Sequence, residues 1–266
     1  MLSLFARDAL LPDGWAADVR IEADPAGNFA AAIPGSPPGN CERLAGPVLP
    51  GMANLHSHAF QRAMAGLTEV RGAPDDDFWS WRELMYRFVQ RLTPGQAQAV
   101  AKYLYIEMLK HGYTAVGEFH YVHDGSDEML LHHLAAAKES GIAITLLPSL
   151  YRWSNFGRQP LQPRQKRFDS NPEFVLRLFE KIEKQSAPDV VAGVAPHSLR
   201  AVDPASLKEL IQGAREKIRK LPFTCTPQSR PGKSRSAWPR SASARWNGCS
   251  RTWAWTSAGA SCTRPT

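Results

Sequence analysis

Several features that mark common protein classes are absent from this sequence. No run of 18 apolar residues occurs, so we expect no membrane-spanning helix and no membrane partner. The motifs G-x-G-x-x-G and G-x-x-x-x-G-K-[ST] are missing, which disfavours a nucleotide-binding loop. The four cysteines include no C-x-x-C pair and indicate neither a disulfide framework nor a zinc knuckle. The N-terminal residues, interrupted by Arg7 and Asp8, lack the apolar stretch of a secretory signal, and a cytoplasmic location is expected.

Acidic residues are absent after position 222, although the chain carries 25 of them. Of the 32 basic residues seven lie in residues 223–266, so the first 222 residues are neutral and the net charge of +7 belongs to this tail. The tail also holds four of the eight tryptophans. Interleaved Arg and Trp could bind single-stranded nucleic acid, but the tail contains no folded motif of that kind. Disorder is the usual interpretation of such a polar segment, although disordered segments are poor in Trp.

A shifted reading frame explains the composition of the tail better than nucleic-acid binding does. If one base is lost at Pro222, the true frame joins the last base of each codon to the first two bases of the next. With permitted codons, residues 222–230 then read P-V-H-M-H-T-A-E-Q, and residues 243–266 give a string that ends in L-V-H-A-T-H. Trp has a single codon, so Trp246-Asn247 must give Glu and Trp255-Thr256 must give Asp. We therefore predict that residues 223–266 are an out-of-frame, irregular and disordered tail.

The most informative motif before the tail is a pair of histidines at the end of an apolar strand. The run L-P-G-M-A-N-L (Leu49–Leu55) leads directly to His56-Ser57-His58. In an extended strand residues i and i+2 point to the same side, so both imidazoles can reach one metal ion. Two surface histidines near a turn are the alternative. The Pro-Gly before the strand, and the polar Gln61 and Arg62 after it, favour the metal site.

The chain is organised as a β-rich segment, residues 1–48, followed by strands that alternate with helices. Short alternating stretches at 18–22 and 29–33 predict the β-rich part. Later strands are predicted at 113–119, 142–147 and 190–194, and helices at 93–111, 126–140, 171–184 and 203–220. Short apolar strands of this kind are typical of buried parallel sheets, in a barrel or a doubly wound fold. Polar residues follow the strand ends (His56 and His58, His120 and Tyr121, Tyr151 and Arg152, His197 and Arg200), which favours an incomplete (β/α)8 barrel in residues 49–222.

Longer motifs make the chain similar to one enzyme family. The segment L-P-G-M-A-N-L-H-S-H-A-F-Q-R-A-M-A-G (Leu49–Gly66) resembles the amidohydrolase superfamily and, within it, the formimidoylglutamate deiminases of histidine breakdown. Supporting segments are D-F-W-S-W-R (Asp77–Arg82), G-E-F-H-Y (Gly117–Tyr121) and A-P-H-S-L-R (Ala195–Arg200). The H-x-H pair is common to the superfamily, whereas F-Q-R-A-M-A-G and F-W-S-W-R are more specific. The resemblance covers about residues 1–222 and continues through the decoded frame.

This resemblance implies an α/β fold, the metal-dependent hydrolase barrel, fronted by a small N-terminal β-sandwich and holding one zinc ion at its mouth. By motif match His56 and His58 are metal ligands. The positions that match substrate-binding residues are Gln61, Arg82, Tyr121, His197 and Arg200. Family members complete the site with a His, a Glu, a second His and an Asp. The decoded segments H-T-A-E and L-V-H-A-T-H resemble the first three, and the Asp is expected beyond the end of the sequence. The chain as written is therefore expected to contain no catalytic residue. We expect His120, His123, His132 and His133 to be structural or solvent-facing.

The implied activity is the zinc-dependent hydrolysis of N-formimino-L-glutamate to N-formyl-L-glutamate and ammonia. Zinc lowers the pKa of bound water, a carboxylate takes its proton, and a second acid assists the loss of ammonia. The substrate carries two carboxylates, which arginine side chains bind well. Deamination of a nucleobase is the alternative within the superfamily, and it requires stacking aromatics instead of an anion clamp. The expected partner is this small dicarboxylate, with no nucleic acid; a homodimer of the intact protein is left open.

The chain as written is predicted to be inactive and poorly folded. It carries four of the eight strands of a barrel and two of the metal ligands. Half a barrel leaves unpaired strand edges and an exposed core, which opposes stable folding.

Overall fold

The computed structural model describes residues 2–68, 78–185 and 187–217, together with the backbone of residues 254–256 and 259–261. The chain divides into two compact units, Met1–Met52 and Ala53–Thr266. Most of the basic, tryptophan-containing tail lies outside the described residues, so the shifted frame and the disorder of the tail stay predictions. Within the tail, β10 (Ala254–Thr256) and β11 (Gly259–Ser261) pair as antiparallel strands.

The first unit is a small four-stranded sheet. Its strands are β1 (Leu2–Leu11), β2 (Gly14–Ala23), β3 (Phe29–Ile33) and β4 (Glu42–Arg43). The order is β3-β2-β1-β4; β1 pairs antiparallel with β2 and parallel with β4. Ala6, Ala9, Val19 and Ile21 form a buried apolar cluster. The two stretches predicted as strands, 18–22 and 29–33, lie in β2 and β3.

The second unit is a five-stranded sheet with helices between its strands. Its strands are β5 (Met52–Ser57), β6 (Tyr113–His120), β7 (Ala143–Leu150), β8 (Val190–Ala192) and β9 (Ala195–Pro196). Its helices are α1 (Phe78–Val89), α2 (Pro94–Lys110), α3 (Glu128–Ser140), α4 (Pro172–Glu183) and α5 (Pro204–Lys217), with 3-10 helices at Ala59–Met64 and Pro163–Phe168. The strand order is β5-β6-β7-β8, and β9 also pairs with β7. β6, β8 and β9 all run parallel to β7.

A glycine allows β5 to approach β6 closely. A Cβ atom on Gly117 would lie 2.9 Å from the carbonyl oxygen of Leu55, closer than a side chain tolerates. Further along, His58 contacts the carbonyl oxygen of Phe119 at 3.0 Å. Leu55 lies beside Gly117, and the later residue His58 lies beside the later residue Phe119. Residue numbers thus increase in the same direction on both sides, so β5 also runs parallel to β6.

Most helix ends follow local signals in the sequence. Thr93 and Gln96 form a capping box at the start of α2, with Pro94 at the first helical position. Asn171 caps α4 by accepting from the backbone N–H of Phe174 at 2.7 Å. Gly141, with φ of 81°, ends α3 in the left-handed conformation that glycine adopts at low cost. The predicted helices at 93–111, 126–140 and 171–184 are confirmed.

Two parts of the second unit differ from the sequence prediction. Helix α1 and the 3-10 helix Pro163–Phe168 were not predicted, although Asp77 precedes the first and Pro163 begins the second, both of which are start signals. The strand predicted at 190–194 is interrupted after Ala192; β8 and β9 keep the same register against β7, so they form one strand with a two-residue break. Helix α5 is described to Lys217, and the rest of its predicted span lies outside the described residues.

Two apolar clusters cover the sheet of the second unit. One packs the strands against helices, with Tyr105, Ile144, Leu146 and Phe179 among its buried members. The other is rich in aromatic residues and includes Phe60, Tyr86, Phe119, Tyr121, Tyr151 and Phe168. This second cluster contains the residues at the carboxyl ends of β6 and β7. None of the described helices is both long and apolar enough to cross a membrane.

Candidate metal and substrate site

Polar side chains follow neighbouring strands where each strand ends. His58 follows β5, Tyr121 follows β6, Tyr151 follows β7 and His197 follows β9. Because these strands are parallel, their carboxyl ends meet at one edge of the sheet. The Tyr121 ring centroid lies 5.0 Å from that of His58 and 5.4 Å from that of His197, and Tyr151 lies 4.6 Å from His197. The structure therefore brings three predicted site residues, His58, Tyr121 and His197, together and places Tyr151 beside them.

The two histidines of the H-x-H motif direct their Nε2 atoms to the same place. These atoms lie 3.1 Å apart in His56 and His58. The Nδ1 of His58 lies 3.0 Å from the Phe119 carbonyl oxygen, which can only accept a hydrogen bond. Nδ1 therefore carries the proton, and Nε2 of His58 keeps its lone pair. Two nitrogens bound about 2.0–2.1 Å from one zinc ion at a near-tetrahedral angle lie roughly 3.1–3.4 Å apart, so the pair fits a shared zinc.

The surroundings favour the neutral form of both imidazoles. Desolvation lowers the pKa of His56, and the Glu118 carboxylate acts in the opposite direction. Desolvation likewise lowers the pKa of His58, against the hydrogen bond to Phe119 and the charge of Glu118. Neutral imidazole is the metal-binding form, so both side chains are available as ligands at neutral pH.

The described residues supply only this pair of ligands. No group of three or more His, Cys, Asp or Glu side chains in residues 2–68, 78–185 and 187–217 is arranged to hold a metal ion. Zinc sites in proteins use three or four protein ligands. The described part of the chain therefore contains a partial metal site.

Gln61 connects the 3-10 helix after His58 to the end of β6. Its Nε2 donates to the hydroxyl oxygen of Tyr121 at 3.1 Å. Tyr121 is only 5% exposed, and its ring also packs edge-on against Phe60. Burial raises the pKa of Tyr121 well above its ordinary value, so its hydroxyl stays protonated. Both predicted substrate-binding residues thus lie beside the histidine pair.

His197 lies among the remaining predicted residues. Its pKa is well below the ordinary value, first because of desolvation. Electrostatic interactions with Arg200, His58, Arg82 and His56, in that order, lower it further. One imidazole is therefore within electrostatic reach of both predicted arginines and of both metal-ligand candidates. It is neutral at neutral pH and acts as a hydrogen-bonding group.

Each predicted arginine is held against a buried tyrosine. Arg82 Nε donates to the Tyr86 hydroxyl oxygen at 2.5 Å, and its guanidinium carbon stands 5.0 Å from the ring centroid. Arg200 donates to the Tyr151 hydroxyl oxygen at 3.3 Å and also to the Ser154 carbonyl oxygen. Guanidinium groups fixed in this way are suited to binding carboxylates.

Gln165 joins the two arginine–tyrosine pairs, and sequence reasoning missed both it and Tyr86. Its Nε2 lies 3.1 Å from the hydroxyl oxygens of Tyr86 and Tyr151, and the residue is 1% exposed. Tyr86 follows Arg82 by four residues, which on a helix places the two side chains together. That spacing could have identified Tyr86, whereas nothing in the sequence connects Gln165 to residues far from it in the chain.

Glu118 is another buried polar residue that sequence reasoning missed. It is 1% exposed, and its Oε1 accepts from the backbone N–H of Ala59 at 2.7 Å. Ala59 directly follows His58, so this hydrogen bond fixes the backbone where it leaves the histidine pair. A lone carboxylate inside the apolar strand β6 was the available signal in the sequence.

The other histidines of the second unit bond mainly to nearby backbone. His123 Nε2 contacts the Ser149 carbonyl oxygen, and His133 Nδ1 contacts that of Met129, both at 2.8 Å. His120 is buried beside them, with its ring centroid 4.8 Å from that of His133. His120 Nε2 and His123 Nδ1 have no hydrogen-bond partner among the described residues, and the structural role of these histidines stays a prediction.

Comparison with known proteins identifies relatives of both units. The family model of formimidoylglutamate deiminase HutF, N-terminal domain, matches residues 1–46, and the amidohydrolase family model matches residues 48–223. The formimidoylglutamate deiminase of Pseudomonas aeruginosa is 48% identical over 227 residues, which are 82% of this chain and 50% of that protein. The chain thus spans half the length of this curated relative.

Solved structures agree with these matches. An amidohydrolase from Brucella melitensis superposes with a TM-score of 0.77 at 45% identity, covering 85% of this chain and 51% of that one. Atrazine chlorohydrolase TrzN from Arthrobacter aurescens TC1, complexed with zinc, gives a TM-score of 0.61 at 17% identity, which shows a shared fold alone; 82% of this chain and 51% of that one are covered.

The matches also decide between the two folds that the sequence left open. The sequential order β5-β6-β7-β8 is that of a barrel, whereas the strand order of a doubly wound sheet reverses. The doubly wound alternative is therefore wrong, and the described sheet is part of an α/β barrel. Since the family model matches most of the chain, over residues 48–223, the chain belongs to the amidohydrolase family.

Proposed function

We propose that the protein represented by this chain hydrolyses N-formimino-L-glutamate to N-formyl-L-glutamate and ammonia, with one zinc ion. The observation that carries the proposal is the grouping of His58, Tyr121 and His197 at one edge of the sheet. Arg200 joins this group through Tyr151, and Arg82 joins it through Tyr86 and Gln165. This is the arrangement that a diacid amidine substrate requires. The 48% identity to the formimidoylglutamate deiminase of Pseudomonas aeruginosa supports the same substrate.

His56 and His58 would hold the metal through their Nε2 atoms. When bound, zinc supplies a water molecule of lowered pKa that can attack the formimino carbon. The Phe119 carbonyl keeps the proton of His58 on Nδ1, so Nε2 faces the site as a lone pair. Glu118, through the Ala59 N–H, holds the backbone beside this ligand.

The arginines and their neighbours would bind and orient the substrate. Arg82 and Arg200 each offer N–H groups to a carboxylate, and their tyrosine partners restrict their rotation. The neutral imidazole of His197 and the hydroxyl of Tyr121 add hydrogen-bond donors, and Gln61 holds that hydroxyl in place. Fixing both ends of the diacid places its amidine carbon at the metal-ligand pair.

Metal binding and proton transfer require more groups than the described histidine pair supplies. In residues 2–68, 78–185 and 187–217, no carboxylate joins the histidine pair to make a three-ligand site. The decoded H-T-A-E segment contains such a carboxylate between residues 222 and 230. We therefore assign the activity to the frame-restored protein, made from a gene with one base added at codon 222, and propose that the 266-residue chain itself is inactive.

Ammonia release from N-formimino-L-glutamate by the zinc-loaded, frame-restored protein tests the proposal. Arg82→Met and Arg200→Met should each raise KM at least tenfold, since each removes a charge-assisted carboxylate contact of about 1.5–3 kcal/mol. Arg87→Met, an exposed position on the same helix as Arg82, is the control and should leave KM unchanged. Turnover of a nucleobase, with no effect of either site substitution, would instead assign the protein to the nucleobase deaminases. Absence of ammonia release with zinc bound would reject the proposal.

A further inference from the structure

The orientation of the Gln165 amide is fixed by the backbone. Gln165 lies in the 3-10 helix Pro163–Phe168, and its Oε1 accepts from the N–H of Gln162 at 2.9 Å. A backbone N–H can only donate, so the oxygen of the amide must face Gln162. The amide nitrogen therefore faces the two tyrosines and donates one N–H to each hydroxyl oxygen.

This orientation determines which way the tyrosine hydroxyls point. The Tyr86 oxygen receives N–H groups from Gln165 and Arg82, and the Tyr151 oxygen receives them from Gln165 and Arg200. Amide and guanidinium nitrogens have no lone pair to offer, so neither hydroxyl can give its proton to them. Among the described residues no other hydrogen-bond partner reaches either hydroxyl. Both O–H groups are thus donors directed away from the groups that hold them.

We propose that Tyr86 and Tyr151 bind one carboxylate of the substrate directly through their O–H groups, and that Gln165 is the positioning residue that makes both of them donors. The proposal rests on the proposed function only in that the ligand is a carboxylate. With both oxygens 3.1 Å from one amide nitrogen and N–H bonds about 120° apart, the hydroxyls lie roughly 5 Å apart. The two oxygens of one carboxylate can bridge that gap with O–H···O⁻ contacts of about 2.6 Å.

The electrostatics of the pair support this assignment. Desolvation raises the pKa of Tyr86, with a further rise from Tyr151, while the hydrogen bonds from Arg82 and Gln165 oppose it. Tyr86 therefore keeps its proton at neutral pH and remains a donor. Both tyrosines are buried, at 3% and 2% exposure, and a buried donor left without an acceptor is unfavourable. A carboxylate that accepts both O–H groups removes this cost.

Binding of glutarate, a plain dicarboxylate with no amidine, tests the inference separately from the reaction. Calorimetric titration is made with both the 266-residue chain and the frame-restored protein. Tyr86→Phe and Tyr151→Phe should each raise Kd about tenfold, because each removes one charge-assisted hydrogen bond. Tyr103→Phe, at an exposed tyrosine of α2, is the control and should change Kd less than twofold.

Gln165 variants test the positioning role. Gln165→Glu keeps the size and the acceptor for Gln162, but its second oxygen accepts both tyrosine protons, so the hydroxyls turn inward. Glutarate affinity should fall at least tenfold, and the tyrosine doublet in the Raman spectrum should shift toward the donor form. Gln165→Met removes the amide and should also weaken glutarate binding. Gln165 and Gln96 are each the third residue of a helix with a capping box, so Gln96→Met in α2 is the matched control for the loss of a helix cap. Circular dichroism melts establish that each variant is folded.

The outcomes separate the inference from the proposed function. The inference is overturned if both folded Phe variants bind glutarate with the wild-type Kd, or if Gln165→Glu leaves the tyrosine Raman doublet unchanged. This holds even if the enzyme releases ammonia. No binding of glutarate by either protein would overturn it as well. Loss of binding in the Phe variants supports the inference even if N-formimino-L-glutamate is not hydrolysed, because carboxylate recognition is then shown for another reaction.

Discussion

At the scale of single residues, the H-x-H pair is the part of the site that sequence reasoning could predict. Alternation along a strand places residues i and i+2 on one side, and the structure has the His56 and His58 Nε2 atoms 3.1 Å apart. The contacts that orient the pair could not be predicted. Phe119 and Glu118 reach it from β6, about 60 residues along the chain, and only the pairing of β5 with β6 brings them there.

His58→Ala should weaken zinc binding by the frame-restored protein at least tenfold. The substitution removes one metal ligand, the imidazole whose tautomer the Phe119 carbonyl fixes. Competition with a chromophoric chelator measures the affinity. His132→Ala is the control, because His132 contacts Gln98 on the helical side of the unit. An equal loss of zinc affinity in His58→Ala and His132→Ala would mean that the His56–His58 pair is not the zinc site.

Gly117→Ala should destabilise the protein by about 1–3 kcal/mol, the usual cost of overpacking a close contact. The new Cβ would stand 2.9 Å from the Leu55 carbonyl oxygen, and backbone there can move only if β5 shifts. Gly95→Ala, in the first turn of α2 with open space around it, should be neutral or stabilising by up to about 1 kcal/mol. Urea unfolding compares the two, and equal stability of both variants would contradict the close pairing of β5 and β6.

At the scale of secondary-structure elements, prediction succeeded where the signal is local. Thr93, Asn171 and Asp203 each accept backbone N–H groups at the start of the helix that the sequence predicts after them. Helix α1 directly follows Asp75-Asp76-Asp77 in the sequence, a possible N-cap signal that was not used. Long-range packing also holds it, such as the contacts of Tyr86 with Phe168 and Gln165. Propensity and caps do not encode contacts between residues about 80 positions apart, so the role of α1 in the site was missed.

Asp203, which caps the start of α5, should make the free energy of unfolding depend on pH in the acid range. Burial alone would raise the pKa of Asp203, but hydrogen bonds from Trp153 and Ser206 and the charge of Arg158 hold it at about 2, below the ordinary 3.8. Because the folded-state pKa is depressed, the stabilisation is complete above about pH 5 and is lost progressively as the pH falls through about 2. The difference corresponds to roughly 2 kcal/mol. Unfolding free energies of the wild type and Asp203→Asn, measured across this range, should converge as the pH falls; a constant difference would contradict the assignment.

At the scale of the whole molecule, the described chain contains one side of a barrel and the corresponding side of its site. The outer strands β5 and β8 each have one neighbour in the described sheet, and Leu55 and Val191 on them are 53% and 39% exposed. The residues that we propose to bind the substrate lie within this part, where sequence motifs indicate them. The proton-transfer group and the further metal ligands are proposed to come from the decoded frame, which the described residues do not contain.

The 266-residue chain should therefore release ammonia from N-formimino-L-glutamate at least about 10³-fold more slowly than the frame-restored protein. Loss of a proton-transfer group alone typically costs about 10²–10⁴-fold, and the incomplete metal site adds to this. Its thermal melt should also be broad, because the outer strands leave apolar residues exposed, whereas the frame-restored protein should melt cooperatively with one zinc per chain. Coupled ammonia assays and metal analysis on both proteins measure these differences. A sharp melt with stoichiometric zinc and comparable turnover in the 266-residue chain would show that its own residues complete the site, and the shifted frame would no longer be needed to explain the function.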